Sequence, residues 1–334
     1  MYARLPCRSL SCTAIALVLS LPSLAVFAQS AKETPYPNRP IRFVVPFPPG
    51  GTTEIQGRKL AEKLWQKLGQ PLVIDNRAGA NGSIGMRIVA QAPPDGYTII
   101  LANVGNWAVH PNLYKLDYDV LRDFAPIIHV ATSPGVLAVN PGVAAKNVPE
   151  FIALLRQKPD QFTYGSNGIG GFSHLAGELF GSMTKTRLTH IPYKGAAPVL
   201  TDLIGGQIQA TFNSVVPTLP HVKSGRVRAL ATTGAVRLEL LPDLPTVAES
   251  GVPGYEASTW SAMGAPAGTP PAVIARLNRE IVAILQTPEM KDNARAEGST
   301  INGGTPEQFR ATLKAELAKY GKLIKEAGIK ADNL

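Results

Sequence analysis

Strand-like and helix-like blocks alternate along most of this chain, and the alternation occurs twice. Residues 41–47 (Ile-Arg-Phe-Val-Val-Pro-Phe) read as a strand. Residues 54–68 read as a helix with Leu60, Ala61, Leu64, Trp65 and Leu68 on one face and Gly69 as its stop. A strand at 71–75, a helix at 83–91 and a strand at 97–102 follow. This βαβαβ rhythm predicts a parallel sheet covered on both faces. It recurs as a strand at 135–139, a helix at 148–157, a strand at 162–165, a helix at 173–183, a strand at 189–193 and a helix at 198–204. Strands at 208–212 and 227–233 complete that set. Two α/β units of similar plan predict two lobes with a cleft between them, and such sheets bind ligands at the carboxyl ends of their strands. The last third reads as three helices, 271–285, 288–296 and 306–327, expected to pack back on the first lobe.

The first 28 residues have a different character. Arg4 and Arg8 precede an apolar stretch from Leu10 to Leu24, and Val26-Phe27-Ala28 offers small residues before a cut. This is the pattern of a secretory signal peptide at 1–28. Ser11, Thr13, Ser20, Pro22 and Ser23 interrupt the run, leaving it short of the roughly 20 strongly apolar residues a membrane span needs. Cys12 stands near the start of that run rather than after it, which argues against a lipid anchor. Cys7 and Cys12 are the only cysteines, so the exported chain is expected to lack disulfides, thiol nucleophiles and Cys-ligated metal.

Charge narrows the partners. Without Arg4 and Arg8, 31 basic residues face 24 acidic ones, a net charge of +7 against +9 for all 334 residues. The basic residues are interleaved with acids and no basic run is flanked by aromatics, so nucleic-acid binding has little support. A mildly positive field favours anionic small molecules.

Two loops carry the chemistry. Phe47-Pro48-Pro49-Gly50-Gly51-Thr52-Thr53-Glu54 lies between a strand and an amphipathic helix. Two prolines stiffen the approach, two glycines let the backbone come close to a guest, and Thr52 and Thr53 read as N-cap residues. A helix start of this kind favours an anion through unpaired N–H donors and the helix dipole. The plain alternative is a capped βα loop. A second loop, residues 164–174, repeats the design with Ser166, Asn167, Gly168, Gly170, Gly171, Ser173 and His174. It has no P-loop lysine and does not fit GxGxxG, because Ser173 stands at the third glycine position. Two such loops, one per lobe, describe a carboxylate clamp of backbone N–H groups and hydroxyls.

Other strand ends supply further candidates. Tyr193 and the pair Asn213-Ser214 end strands of the second set, and helix capping is their alternative role. His174 reads as packing or as orienting the backbone, with ligand contact the sharper alternative. Trp260 reads as core or hinge packing. His110, His129, His190 and His221 show neither HExxH nor i,i+4 spacing, so no metal site is expected. There is no GxSxG elbow, and Ser182 reads as a helix residue rather than a nucleophile. A hydrolase is thus the weaker reading.

Several runs together resemble the Bug family, the substrate-binding receptors of tripartite tricarboxylate transporters. They are Pro46-Phe47-Pro48-Pro49-Gly50-Gly51, Asp75-Asn76-Arg77-Ala78-Gly79-Ala80-Asn81-Gly82, Pro94-Asp95-Gly96-Tyr97-Thr98, His190-Ile191-Pro192-Tyr193-Lys194-Gly195, Leu241-Pro242-Asp243-Leu244-Pro245-Thr246 and Ala265-Pro266-Ala267-Gly268-Thr269-Pro270. The resemblance spans the chain after the signal. It implies an α/β, two-lobed periplasmic-binding-protein fold of type II-like plan, with crossovers near 132–135 and 257–261. Lobe 1 would then comprise 35–132 plus 258–334, and lobe 2 133–257. It also implies a periplasmic receptor, monomeric and without cofactor, that captures a small carboxylate and docks to membrane permease subunits without performing chemistry. A signalling receptor on the same fold is the alternative. Two departures bear on the ligand. Glu54 stands where members often carry Asp, leaving open whether an acid reaches the cleft. Asn103-Val104-Gly105-Asn106-Trp107 replaces smaller residues at a strand end, so Gly105 and Trp107 are expected to shape the pocket.

Overall fold

A computed structural model describes residues 1–3, 36–326 and 329; the predicted signal peptide, beyond its first three residues, lies outside that range. The chain from Tyr36 onward forms one compact unit. Its first stretch runs β1 (Ile41–Val45), α1 (Thr52–Leu68), β2 (Leu72–Asn76), α2 (Ser83–Ala90), β3 (Thr98–Asn103), α3 (His110–Leu113) and β4 (Phe124–Val139). The second holds α4 (Val148–Gln157), β5 (Thr163–Ser166), α5 (Phe172–Thr184), β6 (Thr189–Pro192), α6 (Ala196–Ile204), β7 (Ala210–Ser214), α7 (Val215–Lys223) and β8 (Arg228–Thr232). The last is β9 (Ser258–Pro266), α8 (Pro271–Leu285), α9 (Pro288–Ala296), β10 (Thr300–Gly303) and α10 (Pro306–Glu326).

Strand order along the sheet is β2-β1-β3-β9-β4-β7-β5-β6, with β8 and β10 also paired to β4. The expectation of a parallel sheet holds for β1–β3 and for β5–β7, and fails in the middle. There β9 lies antiparallel to both β3 and β4, and β4 antiparallel to β7 and β8. β4 pairs with β9 as far as Pro134 and with β7 from Gly135. Gly135 is required at that change of partner. A Cβ there would stand 2.7 Å from the Phe172 ring and 2.9 Å from Thr233 Oγ1.

Local sequence explains the helices. α1 buries Leu60, Ala61, Leu64 and Leu68 of the apolar face read from the sequence, leaves Trp65 of that face exposed, and ends at Gly69, whose φ of 72° suits a residue without Cβ. Among the described residues the core has four apolar clusters. Two draw on β1, β3, β4, β9 and the C-terminal helices, joining Leu60, Leu64, Leu277 and Ile281 in one and Trp107, Phe124, Phe309 and Leu313 in the other. Two draw on residues 136–257, around Phe151, Phe180 and Phe212 and around Val136, Val199 and Leu203. Leu175 of α5 belongs to the Trp107 cluster, so the second loop's helix touches the first set's core.

Candidate functional site

Because β1, β2 and β3 are parallel, their carboxyl ends share one edge, and so do those of β5, β6 and β7. The loops singled out from the sequence leave these edges. After β1 the chain passes Pro46 to Gly51, with Asn76 Nδ2 donating to Phe47 O (2.9 Å) and Gly50 at φ 92°. Gly51 is the N-cap of α1 and offers no side chain. Thr52 and Thr53 are therefore the first two helical residues and not caps, a correction to the expectation from sequence. The loop is closed by Glu54 instead. Its Oε2 accepts from Gly50 N–H (3.2 Å) and its Oε1 pairs with Arg58. Glu54 is buried, so this acid is spent on its own loop and on an exposed guanidinium. The N–H groups of Thr52, Thr53 and Glu54 stay unpaired within the helix, since the first intrahelical bond is Ile55 N–H to Gly51 O.

The loop after β5 is built differently. Asn167 N–H donates to Ser173 Oγ (2.8 Å), Gly168 N–H to Ser166 Oγ (3.2 Å) and Gly170 N–H to His174 Nδ1 (3.1 Å). Three of the backbone N–H groups expected to face a guest are thus bonded within the loop, to Ser166, Ser173 and His174. Gly168 at φ 119° and Gly170 at φ 73° allow the chain to turn back on those side chains. His190 lies below, its Nε2 2.5 Å from Ser166 Oγ and its ring stacked on His174 at 4.1 Å. Burial, reinforced by the neighbouring His174, lowers the His190 pKa to about 3, so it is neutral at pH 7.

The second loop meets residues that follow β2 and β3. Asn81 Nδ2 donates to Ile169 O (2.7 Å), Tyr114 Oη donates to the same oxygen (3.0 Å), and Asn106 Nδ2 donates to Asn81 O (2.8 Å). Pro48 Cγ lies 3.3 Å from where a Cβ would stand on Gly195. Residues from both sets of strands are thus brought to one place, and polar atoms are buried there without partners: Asn106 Oδ1, His110 Nε2, Asn167 Oδ1 and Asn213 Nδ2. Asn213 Oδ1 accepts from Asn167 Nδ2 (3.2 Å) and Ser214 N–H (2.9 Å), which fixes the amide orientation and leaves Nδ2 as the unused donor. His110 is fully buried, and burial lowers its pKa to about 4.

Trp107, Tyr193 and Gly105 are placed as follows. Trp107 does not line the loops. Its ring is buried edge-on to Phe124 and Phe309, its Nε1 donates to Ala262 O (3.3 Å), and it covers Gly264 so closely that a Cβ there would stand 2.7 Å away. Tyr193 turns its hydroxyl to Asp202 (2.7 Å), while its N–H holds Ser166 O (2.9 Å). Gly105 N–H donates to Asn103 Oδ1 (3.0 Å), and Gly105 stands beside Gly170 O. Sequence reasoning missed Asn81, Asn106 and His110 as site residues. Asn81 carried a signal in its Gly-Ala-Asn-Gly setting, which here adopts φ 51° at Asn81. His110 was weighed only as a metal ligand. Among the described residues no group of three or more His, Cys, Asp or Glu side chains is placed to hold a metal. An open groove of about 600 Å³, lined by Val222, Val227, Arg228, Leu240, Asp243 and Leu244 among others, includes no residue of these loops.

Residues 57–329 match the tripartite tricarboxylate transporter family receptor. The chain belongs to this family. It is 39% identical to Protein BugT of Bordetella pertussis over 297 residues, covering 88% of this chain and 91% of BugT. A solved structure of R. palustris Rpa4515 with adipate superposes with a TM-score of 0.86 at 39% identity, over 88% of this chain and 99% of that one. MatC from Rhodopseudomonas palustris with bound malate gives 0.82 at 28% identity, over 86% and 100%. The receptor's fold is thus the α/β, two-lobed periplasmic-binding-protein fold expected from the sequence. Among its described residues no helix is long and apolar enough to cross a membrane.

Proposed function

We propose that this receptor captures a small carboxylate in the periplasm and hands it, chemically unchanged, to the membrane permease subunits of a tripartite tricarboxylate-type transporter. The observation that carries the reading is the set of buried, unpartnered amide and imidazole atoms contributed by both sets of strands around the second loop. Buried polar groups are normally paired, so a set of exceptions in one place calls for a polar guest. The α1 start adds N–H donors and the positive end of a helix dipole, suited to one carboxylate. Adipate in one relative and malate in another support the same class of solute. The lobes in this reading are 35–132 with 258–334, and 133–257, closing about the strand crossings near 132–135 and 257–261.

Thermal unfolding with a panel of mono-, di- and tricarboxylates tests it. A true ligand at 100 times its dissociation constant adds about 2.7 kcal/mol to stability. Uptake of that solute by cells lacking the protein should fall to background. A panel without any stabilising carboxylate, or turnover of one abolished by a single Ser→Ala change, would overturn the reading.

A further inference from the structure

The turn after β3 holds two polar atoms that the fold leaves unsatisfied. Gly105–Val109 is a single π-helical turn, and it sets Asn106 and His110 beside one another, 0% and 1% exposed. Such π turns are rare and occur frequently at functional sites. Asn106 Nδ2 donates to Asn81 O and lies 3.5 Å from His110 Nδ1. An amide nitrogen only donates, so His110 Nδ1 is the acceptor and the ring proton sits on Nε2. That donor and the acceptor Asn106 Oδ1 both lack partners. His110 Nε2 lies 3.6 Å from where a Cβ would stand on Gly105, and equally far from one on Gly170. Two glycines, one from each set of strands, therefore keep the approach to this nitrogen uncluttered.

We propose that Asn106 and His110 select a carboxylate bearing a hydroxyl on the adjacent carbon. In this arrangement His110 Nε2–H donates to a carboxylate oxygen and Asn106 Oδ1 accepts from the hydroxyl. The inference rests on the carboxylate-capture reading and adds the substituent that is read. An ammonium in place of the hydroxyl is disfavoured, because amide and neutral imidazole supply no countercharge and the acid of the first loop, Glu54, is already bonded to Arg58 and Gly50. A site built to hydrogen-bond a hydroxyl discriminates strongly against the analogue lacking it, since its buried acceptor is then left unpaired.

Isothermal titration of the protein with malate against succinate, lactate against propionate, and malate against aspartate tests the assignment. The hydroxy acid should bind at least tenfold more tightly than its deoxy or amino partner. Asn106→Leu should reduce the hydroxy-over-deoxy preference to within twofold, and His110→Phe should weaken both at least tenfold. Carboxylate binding without a hydroxyl preference, or a preference that survives Asn106→Leu, overturns this inference and leaves carboxylate capture standing. Absence of any carboxylate binding overturns both. Should Asn106→Leu fail to fold, side-chain ¹⁵N spectra of the unaltered protein decide: the His110 Nε2 resonance should move on saturation with the hydroxy acid and move less with the deoxy acid. An unmoved resonance overturns the assignment.

Discussion

At the scale of single residues, the first loop separates two roles that sequence alone left joined. Glu54 is the acid whose reach toward the ligand was open, and its carboxylate is committed to Gly50 N–H and Arg58. The Arg58 side chain is 59% exposed, so the ion pair contributes little through charge alone. The bond to Gly50 is partly buried, and losing its acceptor costs about 1–3 kcal/mol. Glu54→Ala should therefore lower unfolding free energy in urea by about that amount, while Arg58→Ala changes it by less than about 1 kcal/mol. Equal effects would mean the ion pair, and not the loop bond, is what matters. Gly168 makes the parallel case in the second loop. Its φ of 119° excludes L residues, and a Cβ would stand 2.2 Å from Asn81 Oδ1, whose amide holds Ile169 O. Gly168→Ala should break that bridge between the second loop and the turn after β2 and weaken ligand binding at least tenfold in calorimetry. Both glycine loops were legible in the sequence because tight turns need glycine. That three of the second loop's N–H groups bond to Ser166, Ser173 and His174 was not legible, since three-dimensional pairing leaves no spacing signature.

Elements with a clear period were read correctly; those shaped by tertiary packing were not. α1, α4 and α8 carry apolar faces at helical spacing and begin or end within about two residues of expectation. β9 was missed because Ser-Thr-Trp-Ser-Ala-Met-Gly-Ala-Pro lacks alternation: it is almost wholly buried, and its small residues make room for Trp107. α7 was missed because Pro220 lies inside it, and a proline in a helical pattern reads as a stop. The π turn has no recognisable pattern at all, which is why Asn106 and His110 escaped notice.

That turn has a consequence for pH. Burial holds the His110 pKa at about 4 in the folded chain, against about 6.5 when unfolded. The unfolded state then binds the extra proton between those values, so this stability is complete above pH 6.5 and is lost as pH falls toward 4. The loss is about 1.4 kcal/mol per pH unit for one such histidine. His129, lowered to about 4 by burial, and His190, lowered to about 3, act in the same direction. Unfolding free energy should fall steeply from pH 6.5 to 4.5, with proton uptake on unfolding above one. Replacing His110 with Phe should reduce that uptake by about one proton. A flat profile would contradict the buried, neutral state of these rings.

For the whole molecule, one strand decides cooperativity. β4 runs unbroken from Phe124 to Val139 and exchanges β9 for β7 and β8 at Pro134 and Gly135. Apolar clusters on both sides of that exchange use it, Ile127, Ile128 and Val130 on one and Leu137 and Val139 on the other. Neither side can lose its sheet without stripping hydrogen bonds from the strand that the other also needs. All three tryptophans, Trp65, Trp107 and Trp260, lie on the first side, so fluorescence reports that side while far-UV circular dichroism reports the whole. The two probes should give coincident midpoints in urea, as two-state unfolding requires. Gly135→Ala sharpens the point. Its methyl group would press on Phe172, at the start of α5, and on Thr233 Oγ1, which accepts Gly135 N–H at 2.7 Å. Overpacking of this kind costs about 1–3 kcal/mol. If β4 couples the two sides, that cost lowers both midpoints together, although every tryptophan is remote in sequence from residue 135. A split into two transitions, with fluorescence unmoved, would show that the shared strand does not couple them.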